Sequence, residues 1–590
     1  MSPSLHRAAS ERVPRRRGRI LAAALILCTL AIVARLVQLQ VIDGRKWRAL
    51  AASSQERTIE LPPRRGTIFD RDGTPLAFDV KALAIAVDGY NMTKPTTLVS
   101  ILAEELGCPK AEISDLVYRP SYFTWIDRRV ELETAQRIEQ RARESDAYGL
   151  ILLDTWKRCY PEGRLASNVI GFVGTDGVGL EGVELAFDDA LRGRPSQIHV
   201  VKGADGRTYQ TAVLEEGDPG DDIVLTLDAE LQFICEEEIE AGVSRFRADA
   251  GMVVVLDPTS GEILAMAQDQ GYDPNRFWAS TAAARKNQAI SVLFEPGSIF
   301  KAFTGLAALE TGLVNVDDTF DGNDGIEISG HVMHNAENEP YGTVTFAEII
   351  EHSVNTAMIR VALLLGVETL HEALSRLGFG QPTGVELAGE EAGILRDPDD
   401  WSPLDLAAAS IGQSVAVTGL QLARATAAIA NGGRLPDIHI VVSGEEPGGI
   451  DVATADATAA MRTLMERVVT SGTGTLAAVD GFTVAGKTGT AQKAVAGRGY
   501  VDGKYTSLFV GFLPADDPEV VILVVLDEVK TTPVWGGYTA GQVFRDAASR
   551  MIHAERLAPS ESTTYEALGD PPSEPSRSTV TTAEMLFGRH

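Results

Sequence analysis

Cysteine is scarce: the 590 residues hold four, Cys28, Cys108, Cys159 and Cys235. They lie far apart, and Cys28 falls inside an apolar run, so the chain carries no disulfide framework and the thiols read as small hydrophobes. No H-E-x-x-H occurs. His331 and His334, three apart in a polar, glycine-rich stretch, have no cysteine partner and read as solvated, so no metal and no other cofactor is expected. Basic charge is short too: 53 Lys+Arg face 82 Asp+Glu, a formal net charge of −29. A surface that negative repels phosphates and excludes a nucleic-acid binder.

The charge that is present is uneven. Residues 1–19 carry Arg7, Arg12, Arg15, Arg16, Arg17 and Arg19 against Glu11 alone, a net +5 that leaves −34 on the rest. An apolar run follows over residues 20–34 and continues past Arg35 with Leu36, Val37, Leu39, Val41 and Ile42. At 1.5 Å per residue it spans the ~30 Å hydrocarbon layer if Arg35 snorkels. A cleaved signal peptide would need small residues at its end, where Gln38 and Gln40 stand, so the run reads as a retained anchor. Arginines ahead of it keep 1–19 in the cytoplasm and send the remainder outside.

Length alone predicts about four folding units. With 44% hydrophobic and 23% charged residues, neither a fibrous nor a disordered chain fits. Residues 64–77 read as a hairpin turning at Asp72-Gly73. Residues 97–106 and 131–143 carry helical patterns. The run 171–193 is rich in glycine, yet it lacks the strand, helix and lysine that a phosphate cradle needs. A Gly/Asp/Pro-rich linker, 203–222, places a domain boundary near 220. Beyond it, 223–227 is a short strand and 229–243 an amphipathic helix. Residues 251–256 and 261–267 form a strand pair, as do 506–513 and 519–526, and helical patterns at 299–309, 346–365 and 420–431 lie between. Terminal strands around a helical middle predict an antiparallel sheet flanked by helices. Residues 557–590, dominated by Ser, Thr, Pro and Glu, read as a disordered tail.

Three polar clusters carry the chemistry. In Phe294-Glu-Pro-Gly-Ser298-Ile-Phe-Lys301, Ser298 falls at a helix start, and Lys301 shares its face three residues on, close enough to take the serine proton. Apolar neighbours around Lys301 lower an amine's pKa toward the working pH. Ser353-Val-Asn355 sits at the start or in the first turns of the next helix and projects a hydroxyl and an amide together. Gly486-Lys487-Thr488-Gly489-Thr490 lies on an alternating, β-branched approach, an edge strand with a cation, hydroxyls and glycines that let a substrate backbone come close.

In that order S-x-x-K, S-x-N and K-T-G resemble the penicillin-recognising serine acyltransferases. With R-G-T-I-F-D-R-D-G-T-P-L-A at 65–77, L-T-L-D at 225–228, the 171–193 run and S-I-G-Q at 410–413, the chain resembles a class B penicillin-binding protein over residues 20–550. The resemblance implies a multidomain α/β, membrane-anchored protein: a cytoplasmic tail (1–19), a transmembrane helix (20–42), a non-catalytic, dimerisation-like α+β pedestal (43–220), a transpeptidase domain (221–556) and the tail (557–590). It implies a peptidoglycan D,D-transpeptidase with Ser298 as nucleophile, Lys301 as base, Ser353 and Lys487 as the proton path to the leaving amine, and Asn355 holding Lys301 and the substrate amide. Thr488, Gly489 and Thr490 line the substrate, with Lys487, Thr488 and Thr490 binding its terminal carboxylate and the N–H groups of Ser298 and Thr490 facing the oxyanion. Its ligands are peptidoglycan stem peptides, with β-lactams as covalent inhibitors. Its partners are a membrane glycan polymerase of the SEDS type and other division proteins, and its place is the inner membrane. Glu295 ahead of Pro-Gly-Ser resembles the division type more than the elongation type, which has Pro there. Ser414 and Gly419 depart from the family's Gly and Pro.

Rival readings are weaker. Residues 481–488 satisfy G-x-x-x-x-G-K-[ST], and 520–528 look like a Walker B strand. However, Phe482 to Ala485 are not loop residues, and the glycines after Lys487 forbid the following helix that phosphate binding requires. A β-lactamase needs a deacylating group that no residue here supplies, and a penicillin-sensing receptor needs a larger cytoplasmic part.

Overall fold

In the computed structural model, residues 12–43, 46, 56–121, 123–202, 208–444, 446–495, 499–554 and 557 are described. Most of the basic tail and nearly all of the C-terminal tail lie outside the described residues. The chain forms two compact units. One runs up to Leu225 and takes in Gly271–Arg285 and Glu386–Ala388; the other holds Thr226–Gln270, Lys286–Val385 and the chain from Gly389 on.

The first unit begins with α1 (Arg12–Val37), which continues as a π-helical turn over Gln38–Ile42. Arg17–Ile42, 26 residues of mean hydropathy 2.6, is long and apolar enough to cross a membrane. Arg35 meets Gln38 at 2.8 Å, giving the one charge in its apolar stretch a polar partner. β1 (Glu56–Leu61) precedes the predicted hairpin of β2 (Ile68–Phe69) and β3 (Pro75–Val87). Its turn is built as the sequence indicates: Asp70 Oδ1 accepts from the N–H groups of Asp72 (3.0 Å) and Thr74 (2.6 Å), and Gly73 takes φ +86°.

β3 is the central strand, pairing antiparallel with β4 (Thr124–Glu131) and β5 (Leu150–Cys159). Helices α2 (Pro95–Leu106), α3 (Lys110–Val117) and α4 (Leu132–Glu144) contribute Leu98, Leu102, Val117 and Ile138 to a core under Ile85, Val87 and Val130. β6 (Ser196–Lys202) and β7 (Thr208–Glu215) complete a three-stranded sheet in the order β1-β6-β7. The 171–193 run folds on itself instead of cradling a phosphate. Gly171, at φ +77°, leaves room for the Glu181 carbonyl, which a Cβ there would meet at 1.8 Å. That fold delivers Glu184, with no exposed surface, to Arg65 (2.6 Å) and Arg158 (2.7 Å).

The second unit is built on a five-stranded antiparallel sheet. In chain order the elements that frame its sheet and site are α5 (Ala229–Phe246), β8 (Ala250–Leu256), β9 (Ile263–Gln268), α6 (Phe300–Glu310), α7 (Phe346–Glu351), α8 (Asn355–Leu365), α9 (Gly419–Ala430), α10 (Ala455–Thr470), β10 (Ala485–Val495), β11 (Gly499–Leu513), β12 (Val520–Asp527) and α11 (Ala540–His553). The sheet order is β9-β8-β12-β11-β10, so strands from both ends of the unit pair through β8 and β12. Val520 to Leu526 are all buried, because helices cover both faces. Ile234, Ile239, Val543 and Phe544 from α5 and α11 pack with Val253, Val255, Ile522 and Val524 on one side; α9 packs on β8 and β12. The antiparallel sheet flanked by helices stands as expected. The single helix expected over 346–365 is two, interrupted at His352–Val354, where Ser353 takes φ +59°.

Candidate active site

The nucleophile candidate stands where a turn becomes a helix. Gly297–Ile299 form one 3₁₀ turn that runs into α6, so Ser298 lies at a helix start as its sequence predicts. Gly297 adopts φ +53° and its N–H donates to the Gly412 carbonyl at 3.0 Å. The S-I-G-Q stretch thus acquires a task that its sequence did not disclose: it fixes the residue before Ser298. The Ser410 carbonyl does the same for α6 by accepting from Thr304 Oγ1 at 3.0 Å.

One turn into the helix, Lys301 has no exposed surface. Its Nζ lies 3.0 Å from Ser298 Oγ, 2.6 Å from the Ser353 carbonyl oxygen and 3.0 Å from Ser353 Oγ. Burial, and then the charge of Lys487, hold this amine well below the usual lysine range. A neutral amine has two N–H groups and one lone pair. The Ser353 carbonyl can only accept, so a neutral Lys301 can donate to it and to Ser353 Oγ while its lone pair faces the Ser298 hydroxyl. The left-handed backbone at Ser353 places both of its oxygens on Lys301, which is why α7 and α8 do not run on as one helix.

Lys487, equally buried, sits on β10, the edge strand of the sheet. Its Nζ is 3.0 Å from Ser353 Oγ and 3.3 Å from the Thr488 carbonyl, and burial draws its pKa down to about 7. Ser353 Oγ is therefore shared by two amines. Thr488 Oγ1 pairs with Thr473 Oγ1 at 2.8 Å. A Cβ on Gly489 would approach the Pro296 carbonyl and Ile299 to 3.0 Å, so glycine lets β10 close on the Ser298 turn. Thr490 Oγ1 accepts from the Gly536 N–H at 3.0 Å. Asn355 opens α8, but its amide donates to the His334 carbonyl at 2.9 Å instead of holding Lys301. Ser298, Lys301, Ser353 and Lys487 converge, Thr488 to Thr490 lie alongside, and Asn355 is adjacent with a different partner.

Sequence reasoning missed the support beneath Ser353. The buried Glu351 carboxylate accepts from Arg467 Nε (2.8 Å) and Ser471 Oγ (2.7 Å), and its carbonyl accepts from the Thr473 N–H (3.2 Å). The signal was Ser471-Gly-Thr-Gly474, a second hydroxyl and glycine cluster. The nucleotide reading of 481–488 finds no frame: Lys487 is paired in mid-strand opposite Val510, and β10 continues to Val495 where a helix would be needed.

Residues 251–549 match the penicillin binding protein transpeptidase domain, and residues 60–225 the penicillin-binding protein dimerisation domain. The chain is 32% identical over 539 residues to a probable peptidoglycan D,D-transpeptidase, PbpC, of Pseudomonas aeruginosa, covering 90% of this chain and 94% of that protein. To the peptidoglycan D,D-transpeptidase FtsI of Escherichia coli it is 28% identical over 556 residues, 93% of each chain. Among solved structures, penicillin binding protein 3 of Mycobacterium tuberculosis complexed with aztreonam superposes with a TM-score of 0.66 at 27% identity, over 86% of this chain and 99% of that one.

Proposed function

The chain belongs to the class B penicillin-binding proteins, membrane-anchored peptidoglycan D,D-transpeptidases, and on that premise we propose that Ser298 is the residue it acylates. The observation that carries this is the buried, deprotonation-prone Lys301 amine 3.0 Å from Ser298 Oγ. Lys301 takes the hydroxyl proton as Oγ attacks the carbonyl between the two terminal D-alanines of a stem peptide. Negative charge developing on that carbonyl oxygen meets the N–H groups of Ser298 and Thr490, each worth roughly 3 kcal/mol in comparable sites. Lys487 and Ser353 pass a proton to the departing amine, so free D-alanine leaves and the ester remains. The amine of a neighbouring stem then attacks the ester, and its proton returns along the same path, restoring Ser298 and completing the cross-link.

Lys487 suits this double duty because a pKa of about 7 lets it hold or release a proton at working pH. The substrate's terminal carboxylate, bound by Lys487, Thr488 and Thr490 with Gly489 giving access, favours its charged form. Asn355 acts on the substrate amide and on the His334 loop. β-Lactams present the same carbonyl and acylate the same serine. Residues 221–556 form the transpeptidase domain and 43–220 the pedestal. Residues 1–19 lie in the cytoplasm, with the domains outside the inner membrane.

Septal wall synthesis fits best, on Glu295 ahead of Pro-Gly-Ser and the likeness to FtsI, with a SEDS-type polymerase and other division proteins as partners; elongation is the alternative. Ser298→Ala removes fluorescent-penicillin labelling while the melting transition stays; labelling that persists refutes the nucleophile. Lys301→Ala slows acylation more than it weakens initial binding. Depletion in the host gives filaments for a division role and round cells for elongation.

A further inference from the structure

The segment from Gly322 to Thr345 runs from a short hairpin, Ile326–Ile328 against His331–Met333, to the capped start of α7. Of residues 331–340, Asn335 alone is buried, with 4% of its surface exposed. Its carboxamide makes every hydrogen bond that such a group can make. Nδ2 donates to the Gly322 and Glu339 carbonyls, both at 2.9 Å. Oδ1 accepts from the Thr356 N–H at 3.0 Å and from the Thr356 hydroxyl at 3.2 Å. One side chain thus closes the segment on itself and docks it on the first turn of α8, one residue beyond Asn355. Asp324 reinforces the dock: its Oδ1 accepts from the Asn335 N–H at 2.7 Å, and its Oδ2 lies 2.8 Å from His334 Nδ1. His334 is therefore held twice, by its ring and through the residue that follows it.

The consequence falls on Asn355. The His334 carbonyl, which Asn355 Nδ2 meets at 2.9 Å, can only accept, so it takes the nitrogen end of that amide and rejects the oxygen end. An asparagine's terminal torsion is broad and roughly two-fold, so a half-buried amide has little intrinsic preference for the end it turns to a ligand. A fixed acceptor removes the ambiguity. It leaves Asn355 Oδ1 to accept from a substrate N–H and the second Nδ2 hydrogen to donate to a substrate carbonyl.

We propose that Asn335 is a positioning residue for acylation: by fixing the His334 carbonyl it sets which end of the Asn355 amide meets the substrate amide. The inference rests on Ser298 being the acylated residue and on Asn355 acting on the substrate amide. Arg360 supplies the contrast. It ties α8 to Asp321, just ahead of the same segment, through the Asp321 carbonyl (3.0 Å) and carboxylate (2.7 Å), and neither bond involves His334 or Asn335.

The test is the acylation rate of the full-length protein in detergent micelles, followed by intact mass. One probe is benzylpenicillin, which carries an acylamino amide; the other is aminopenicillanic acid, the same nucleus without it. Asn335→Ala slows acylation by benzylpenicillin about tenfold, the effect of one misplaced hydrogen bond. It slows acylation by aminopenicillanic acid less than about twofold, and in an Asn355→Ala background it costs less than about twofold with either probe, because the group it acts through is gone. Arg360→Met leaves both rates near those of the parent. Asp324→Ala slows benzylpenicillin in the same selective way to a smaller extent, and it decides alone if Asn335→Ala does not fold. Equal slowing with both probes, full additivity with Asn355→Ala, or parent rates in Asn335→Ala and Asp324→Ala overturns the inference. An Asn355→Ala variant acylated at the parent rate overturns instead the reading of Asn355 on which the inference rests, and labelling of Ser298→Ala the reading of Ser298.

Discussion

The N–H of Gly297 donates to the carbonyl of Gly412 across 3.0 Å, and a Cβ on Gly412 would lie 2.1 Å from the Gly297 carbonyl oxygen. The residue ahead of Ser298 is thus seated on a backbone that tolerates no side chain. Gly412→Ala should displace Ser298 and cut the acylation rate by about 100-fold, the usual consequence of a shift near 1 Å at reacting atoms. Gly384→Ala is the control: it has a similar positive φ, +87°, and nothing within 4 Å of its Cβ position. It should cost stability alone, and equal loss of penicillin labelling in both variants would remove the claim.

Lys487 makes stability depend on pH in a definite direction. Its pKa falls from 10.5 to about 7 on folding. Between those values the unfolded chain binds more protons than the folded one, so stability rises with pH. The burial cost is full below about 7, fades as pH rises from there toward 10.5, and is gone above it. Lys301 is shifted the same way. Urea unfolding at pH 7 and pH 9.5 should show a rise that Lys487→Met reduces, by up to about 1.4 kcal/mol per pH unit. In the same variant the pH midpoint of acylation should move upward, because the charge that helps depress Lys301 is gone; a downward shift contradicts the coupling.

Much of this was legible. The Asp72-Gly73 hairpin, the paired strands at both ends of the second unit and the serine-lysine helix start follow from turn chemistry, hydrophobic alternation and spacing. The break at Ser353 was not, because apolar residues recur at helical spacing on both sides of it and only tertiary hydrogen bonds to Lys301 select the left-handed backbone. Asn355's partner was hidden for a related reason: His334 is 21 residues away in sequence and arrives by a loop. The Arg65–Glu184–Arg158 web was equally opaque, since its members look like surface charges until β3, β5 and the glycine-rich run come together.

Ser414 stands at φ +61°, a left-handed backbone that suits glycine. Its side chain is exposed, and the N–H that meets Glu295 at 3.0 Å survives substitution. Ser414→Gly should therefore stabilise the protein by about 0.5 kcal/mol, relief of strain outweighing the extra freedom of the unfolded chain. Urea midpoints of the two proteins decide the sign, and a loss of stability would mean that Ser414 makes contacts beyond that N–H.

Glu351 lies two residues before Ser353, 5% exposed, and ties the Ser353 turn to the segment that touches β10. Burial alone would raise its pKa, but hydrogen bonds from Ser471 and Arg467 hold the carboxyl below its ordinary range. A depressed carboxyl contributes stability that is present above the unfolded pKa and lost as pH falls through the folded one. Glu351→Ala leaves Ser471 and Arg467 without their acceptor and should cost about 2–3 kcal/mol, moderated because Arg467 is partly in water. Glu351→Gln keeps an acceptor for one donor and should cost less. Both should slow acylation without altering initial β-lactam binding, since what loosens is the placement of the Ser353 oxygens on Lys301. Stopped-flow acylation of the two variants at pH 7.5 gives the check, and a rate equal to that of the parent would show that the Ser353 turn holds its shape unaided.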